Sequence, residues 1–202
     1  MLRALAALAA LVGAISTPAL AHNMGGLRKL KPGMPFNLLT MRAVLPGPAG
    51  ARLGAVDFNA LRGSSLAFLV IDPYLPRDLA EARHFEAVAR TLPNTRAFLV
   101  ALPQRSQRTA QLVDFCTRER LGLPLLVDDR DIFPFAFGFD YTRSPRYELF
   151  DRSGTLILEN PARLSQRLVT GLTVETALRQ LDAGHPVEQA TLSPRDDLPP
   201  RR

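Results

Sequence analysis

The chain holds one thiol, three imidazoles and no tryptophan, so the side chains able to do chemistry are few. Cys116 is the lone cysteine and can form no disulfide within the chain. Two readings stand for it. Beside Phe115 on the inner face of an expected helix it is packing material, as buried free cysteine commonly is. Turned outward between Arg118 and Arg120 it is a reactive thiol, because a nearby cation favours the thiolate. His22 is the sharper candidate for a metal. Placed first in a processed chain, its α-amino nitrogen and imidazole, with the thioether of Met24, make a donor set suited to copper. His84, next to Phe85, and His185 are the other imidazoles, and no His-x-x-x-His, cysteine cluster or paired-carboxylate motif surrounds them. No Gly-x-Ser-x-Gly element and no phosphate-cradling glycine loop is present, which removes the common hydrolase and nucleotide readings. Asp78, opening an expected helix, is a cap or first-turn carboxylate favoured by the helix dipole.

The apolar pattern supplies the elements that position these groups. Leu66-Ala67-Phe68-Leu69-Val70-Ile71 runs apolar between Gly63-Ser64 and Asp72-Pro73, as a strand buried on both faces does. Leu79, Ala82, Phe85, Val88, Ala89 and Leu92 give a helix over Arg77–Leu92 one dry face. Ala97–Leu102 is a second buried strand, Thr109–Leu121 a second helix with Gly122 as its C-cap, and Leu125–Val127 a short strand. Asp131–Phe137 reads as a helical turn limited by Pro134. Tyr147–Asp151 and Thr155–Glu159 flank Arg152-Ser153-Gly154 as a hairpin, and Thr173 caps a last helix that runs through Leu181. Upstream, Pro35–Val44 and Ala55–Phe58 form an N-terminal β-hairpin around the breaker cluster Pro46–Gly50, with a turn over Asn59–Gly63. Strand and helix alternate first and a hairpin follows. The expected fold is therefore α/β, a mixed sheet flanked by helices, because parallel neighbours need a helical crossover and hairpin partners do not.

The first 21 residues have the form of a secretory leader: Arg3, an apolar stretch from Ala4 to Ile15, and Ala19-Leu20-Ala21 before a cleavage point at His22. That stretch is too short for a spanning helix, which needs about 20 apolar residues. The expected organisation is a signal peptide over 1–21, an N-terminal arm over 22–31, one domain over 32–187 and a disordered Pro/Arg-rich tail over 188–202. Cleavage leaves 181 residues, and the net charge falls from +6 to +5 with the loss of Arg3. Basic residues interleave with acidic ones, as in Arg77-Asp78 and Arg118-Glu119-Arg120. That is a solvated surface and not a nucleic-acid footprint. The expected location is periplasmic or secreted, with no membrane span left after cleavage.

Element order and local motifs together resemble the thioredoxin-like superfamily, in the branch of periplasmic thiol:disulfide oxidoreductases and the redoxins of the alkyl-peroxide reductase type. Gly33-Met34-Pro35-Phe36 resembles the family's opening motif and Leu61-Arg62-Gly63 the turn before its central strand. Leu121-Gly122-Leu123-Pro124-Leu125-Leu126-Val127-Asp128 resembles its glycine, proline, apolar strand and aspartate segment. Phe137-Gly138-Phe139, Ser144-Pro145 and the Phe150–Gly154 hairpin resemble the stretch that holds the family's cis-proline. The resemblance spans residues 32 to 184 and implies a thioredoxin-like fold carrying an N-terminal hairpin extension.

The resemblance also exposes a loss. In the oxidoreductases a Trp-Cys-x-x-Cys element follows the central strand and places a thiol at a helix N-terminus, where its pKa falls. Laying Glu81 on the family's helix glutamate puts Tyr74-Leu75-Pro76-Arg77-Asp78 on that element, with Leu75 and Asp78 at the cysteine positions. The peroxiredoxin Thr-x-x-Cys is absent as well. The resemblance then implies a redox-inactive accessory protein. Tyr74, Leu75, Pro76, Arg77 and Asp78 form one wall of its docking groove and Ser144 and Pro145 the other, and the groove takes an extended segment of an exported protein. Two alternatives stay open: a single-thiol antioxidant enzyme using Cys116, and a copper carrier using His22 and Met24. No cofactor is expected.

Overall fold

The computed structural model describes residues 31–35, 40–101, 109–128, 132, 144–159, 162–168 and 170–187. The leader, the arm up to residue 30, the tail from 188, Phe137-Gly138-Phe139 and all but Ile132 of the expected turn at 131–137 lie outside them.

Two apolar runs form the centre. β3 (Ser65–Ile71) and β4 (Thr95–Ala101) pair in parallel, from Ser65 opposite Thr95 to Ile71 opposite Ala101. Their side chains are buried on both faces over most of their length, which is what lets such strands read as unbroken apolar sequence. The connection is α1 (Pro76–Ala89), which buries Ala82, Phe85 and Val88 and leaves His84 exposed. β5 (Leu125–Val127) adds to β4 in parallel after α2 (Thr109–Glu119). β6 (Arg146–Phe150) adds antiparallel on the other side of β3, and β7 (Leu156–Glu159) pairs antiparallel with β6.

The N-terminal hairpin is part of the same sheet. β1 (Thr40–Leu45) pairs antiparallel with β2 (Arg52–Asp57) and, on its other side, with β5. The result is one seven-stranded mixed sheet in the order β2-β1-β5-β4-β3-β6-β7. One face packs against α1, α2 and α3 (Val174–Asp182) through residues such as Leu69, Leu99, Phe85, Phe115 and Leu178. The other carries a phenylalanine cluster in which Phe68 lies 5.6 Å from Phe98 and 5.6 Å from Phe150, ring centre to ring centre.

Several boundaries depart from the sequence pattern. The first strand starts at Thr40 and not Pro35. Pro35 instead bridges Thr155, and Gly33 and Met34 exchange backbone hydrogen bonds with Leu156, so residues 33–35 lie against the start of β7. The turn at 59–63 begins as a short 3-10 helix over Phe58–Leu61, capped by Asp57. The first helix ends at Ala89, three residues short of the expected Leu92, and the last hairpin strand starts at Leu156. α2 is terminated by Arg120, which takes the left-handed conformation at φ 51°, while the N–H groups of Arg120 and Leu121 return to the carbonyls of Thr117 and Cys116. Gly122 is not the cap. It is a glycine because Glu86 reaches it from α1: its N–H donates to Glu86 Oε2 at 3.0 Å, and a Cβ there would drive into the other carboxylate oxygen. Thr173 caps α3 as its type predicts, its hydroxyl accepting the Thr176 N–H at 3.1 Å.

Candidate functional site

The loop from β3 into α1 is closed from within. Asp72 ends the strand, and its Oδ1 accepts the N–H of Tyr74 at 3.0 Å while its carbonyl accepts that of Leu75 at 3.1 Å. Leu75 is the N-cap residue and provides no side-chain cap; Pro76 takes the first helical position, where its missing N–H costs nothing. Asp78, in the first turn, is fully buried. Its Oδ2 accepts the Asp72 N–H at 2.8 Å, six residues back, and its Oδ1 faces Arg77 Nε at 3.4 Å. The carboxylate therefore ties the strand end to the helix start. It is a first-turn acid, as its type suggested, but it is withdrawn from the surface on which the sequence placed it as a recognition residue.

What the loop presents to water is Tyr74, 53% exposed, and Arg77, whose side chain is 65% exposed. Pro76 is exposed as well and Leu75 half-buried. The second wall follows from strand register. Val70 pairs with Arg146 at the start of β6, and Ser144 and Pro145 immediately precede that residue in the chain. The Ser144–Pro145 peptide is cis, Ser144 is buried and Pro145 half-buried. The loop over 72–78 follows the carboxyl end of the central strand, and Ser144–Pro145 leads into the β6 residue that pairs near that same end.

Behind the loop lies an arrangement that sequence reasoning did not find. The Tyr147 hydroxyl donates to Glu81 Oε1 at 2.8 Å, and the Leu164 N–H donates to the same oxygen at 2.9 Å. Burial, and then the Glu81 carboxylate, raise the Tyr147 phenol well above its usual pKa. Its ring meets Phe85 edge-on at 5.3 Å. A tyrosine inside an apolar strand signals that its hydroxyl needs a partner, yet the pattern cannot name one 66 residues away.

Cys116 lies in the helix-side core at 4% exposure, and burial pushes its thiol up to about 12. It borders an open cavity of about 820 Å³ between the Pro46–Ala51 loop and the end of α2. His22 and Met24 lie outside the described residues. Among the described residues no group of three or more His, Cys, Asp or Glu side chains is placed to hold a metal ion. No helix among them is long and apolar enough to cross a membrane.

Solved structures share this architecture over most of the chain. A hypothetical protein of Sinorhizobium meliloti 1021 superposes with a TM-score of 0.55 at 15% identity, covering 83% of this chain and 91% of its own. The DsbF structure from MTB, in mixed oxidised and reduced forms, gives 0.53 at 15% identity over 77% of this chain and 98% of its own. A thiol-disulfide isomerase from Corynebacterium glutamicum gives 0.51 at 12% identity, with 65% and 87% covered. The fold is thioredoxin-like. No family model matches the sequence, and no curated protein does. The thioredoxin-like domain here contains a single cysteine, so the two-thiol element of the fold's oxidoreductases is missing from the chain, and Leu75 and Asp78 can exchange no disulfide.

Proposed function

We propose that this protein is a non-enzymatic accessory factor of an exported compartment that holds an extended segment of another protein across the β3–α1 loop and the Ser144–Pro145 loop. The observation that carries the reading is the closed loop itself: Asp78 spends both carboxylate oxygens on Asp72 and Arg77. What remains is a rigid, thiol-free platform exposing Tyr74 and Arg77. A chain pinned in this way loses little conformational entropy when a partner docks. The leader-like first 21 residues support export to the periplasm or beyond, and the thiol-disulfide names printed for two fold relatives, an isomerase and an oxidoreductase, support a role beside thiol-handling proteins. Cys116 does not support the single-thiol alternative, because a buried thiol held near pH 12 supplies almost no nucleophile at neutral pH.

The test has two arms. Processed protein and Cys116→Ser should both lack insulin-reducing and peroxide-consuming activity above background. Immobilised wild type should recover the same partner repeatedly from native periplasm, and the Tyr74→Ala/Arg77→Ala variant should recover less than a tenth of it at unchanged Tm. Activity that vanishes with Cys116→Ser, or capture unaffected by the double variant, overturns the reading.

A further inference from the structure

The loop between β1 and β2 and the end of α2 border a cavity with fixed walls and a lining of one charge sign. The loop turns on a hydrogen bond from the Gly50 N–H to the Gly47 carbonyl at 3.2 Å, and it is tied to the helix where the Ala51 N–H donates to Thr117 Oγ1 at 3.0 Å. Gly50, at φ 117°, lies so close to Thr117 that a Cβ there would stand 3.3 Å from the threonine methyl. Gly122, also in the lining, is held by Glu86. The space measures about 820 Å³, within the ~300–1,000 Å³ of small-molecule sites. Pro46, Pro48, Ala49, Ala51 and Leu121 give it apolar walls, and the one charged residue in the lining is Arg120.

Arg120 stands there against its own backbone preference. Among the described residues it alone, apart from glycines, takes a positive φ, a conformation that costs a side chain free energy and that glycine adopts freely. The end of α2 does not need its charge, since Arg118 occupies the last turn and Arg83 donates to the Glu119 carbonyl at 3.2 Å. Its guanidinium has no hydrogen-bond or ion-pair partner among the described residues. An unpaired cation kept at a strained position in a cavity wall points to a ligand. We propose that this cavity binds an apolar small molecule bearing a single carboxylate, its apolar part against the prolines and Leu121 and its anion on Arg120. The guanidinium fork matches a carboxylate with two parallel N–H donors. A cationic ligand would meet Arg120 with no carboxylate in the lining to offset it, and a neutral one would leave the guanidinium unused. No lining residue belongs to the β3–α1 or Ser144–Pro145 loops, so the site stands apart from the reading of that platform.

The test is an amide-resolved NMR titration of the processed chain with octanoate, octan-1-ol and octylammonium. Octanoate should bind saturably and shift amides within residues 47–51 and 116–122. Octan-1-ol should bind about tenfold more weakly or worse, the loss expected without a hydrogen bond between charged groups, and octylammonium should give no saturable shift. Arg120→Gly suits the left-handed backbone and keeps the fold. It should weaken octanoate about tenfold or more and leave octan-1-ol unchanged. The absence of saturable shifts with octanoate overturns the proposal, as do shifts centred outside the lining. Equal octanoate affinity in wild type and Arg120→Gly, a parallel loss of octan-1-ol in the variant, or equal binding of octanoate and octylammonium overturns the pairing of the anion with Arg120.

Discussion

Cys116 offers the test with the largest calculable effect. At pH 8 a thiol of pKa 9.0 is about one-tenth thiolate, whereas one held at about 12 is about one part in ten thousand. The attacking species falls by roughly a thousandfold before access is considered, and at 4% exposure access requires the core to open. Reaction of native protein with an aromatic disulfide reagent at pH 8, followed by release of the coloured thiolate, should run at least ~10³ slower than reaction in denaturant, with Cys116→Ser as the blank. Stoichiometric labelling of native protein at a rate within tenfold of the unfolded one refutes the burial argument and restores the single-thiol reading.

The same shift fixes a dependence of stability on pH. The folded pKa lies above the unfolded one, so below pH 9 both states keep the proton and full stability is present. Between pH 9 and about 12 the unfolded chain releases its proton while the native state retains it. Stability then falls by about 1.4 kcal/mol for each pH unit until the folded thiol itself titrates. Tyr147, also raised, adds to the decline from pH 10 upward. In urea titration the stability of wild type relative to Cys116→Val should therefore fall by about 1.4 kcal/mol between pH 8 and pH 10. Parallel curves across that range would refute the assignment.

Gly122→Ala should destabilise by about 1.5–3 kcal/mol, because the new methyl displaces Glu86 from the Gly122 N–H and from Arg90. In a Glu86→Ala background the same change should be neutral or stabilising, and additive costs in the double-mutant cycle would disprove the contact. Arg120→Gly relieves a left-handed residue at the end of α2 and should raise stability by about 0.5–1 kcal/mol in urea titration; a loss would show that the cap does not govern that turn. Asp78→Ala leaves the Asp72 N–H without its acceptor and should cost about 1–3 kcal/mol, while hydrogen exchange quickens at residues 72–78 before the rest of the sheet. Leu75→Cys/Asp78→Cys in a Cys116→Ser background restores two thiols at the N-cap and third helical positions. It should form one reducible disulfide per chain by thiol counting, and none would refute the alignment of these two positions with the cysteine pair of the resembled oxidoreductases.

Much of this architecture is legible in sequence because burial on both faces leaves a plain trace. β3 and β4 could be read from unbroken apolar runs, and α3 from Thr173 and the spacing of Val174, Ala177, Leu178 and Leu181. What escaped were contacts whose partners lie far apart in the chain. Gly122 looked like a cap because glycine is the usual left-handed residue after a helix, and nothing near it names Glu86, 36 residues earlier. Pro35 looked like the start of a strand, yet its neighbour is Thr155. The alternation around Tyr147-Glu148-Leu149 gives no sign that Glu148 is fully buried. At the candidate site the residue types are legible and their orientations are not: the sequence sets Tyr74, Arg77 and Asp78 on one surface, and the hydrogen bond to Asp72 turns one of the three inward.

That inward turn shows how the start of α1 is held without a disulfide. At this helix N-terminus a carboxylate takes the third helical position, where the helix dipole favours it. Asp78 accepts from the strand end and faces the next side chain on the helix, so the loop is fixed by hydrogen bonds and not by a disulfide. Carboxylates favour the positive end of a helix, and this one is fully buried with both oxygens engaged. Asp78 carries no sulfur, and its carboxylate ties the strand end to the helix start. On the proposed reading, Tyr74 and Arg77 supply the exposed surface of this loop, and recognition there rests on shape and charge.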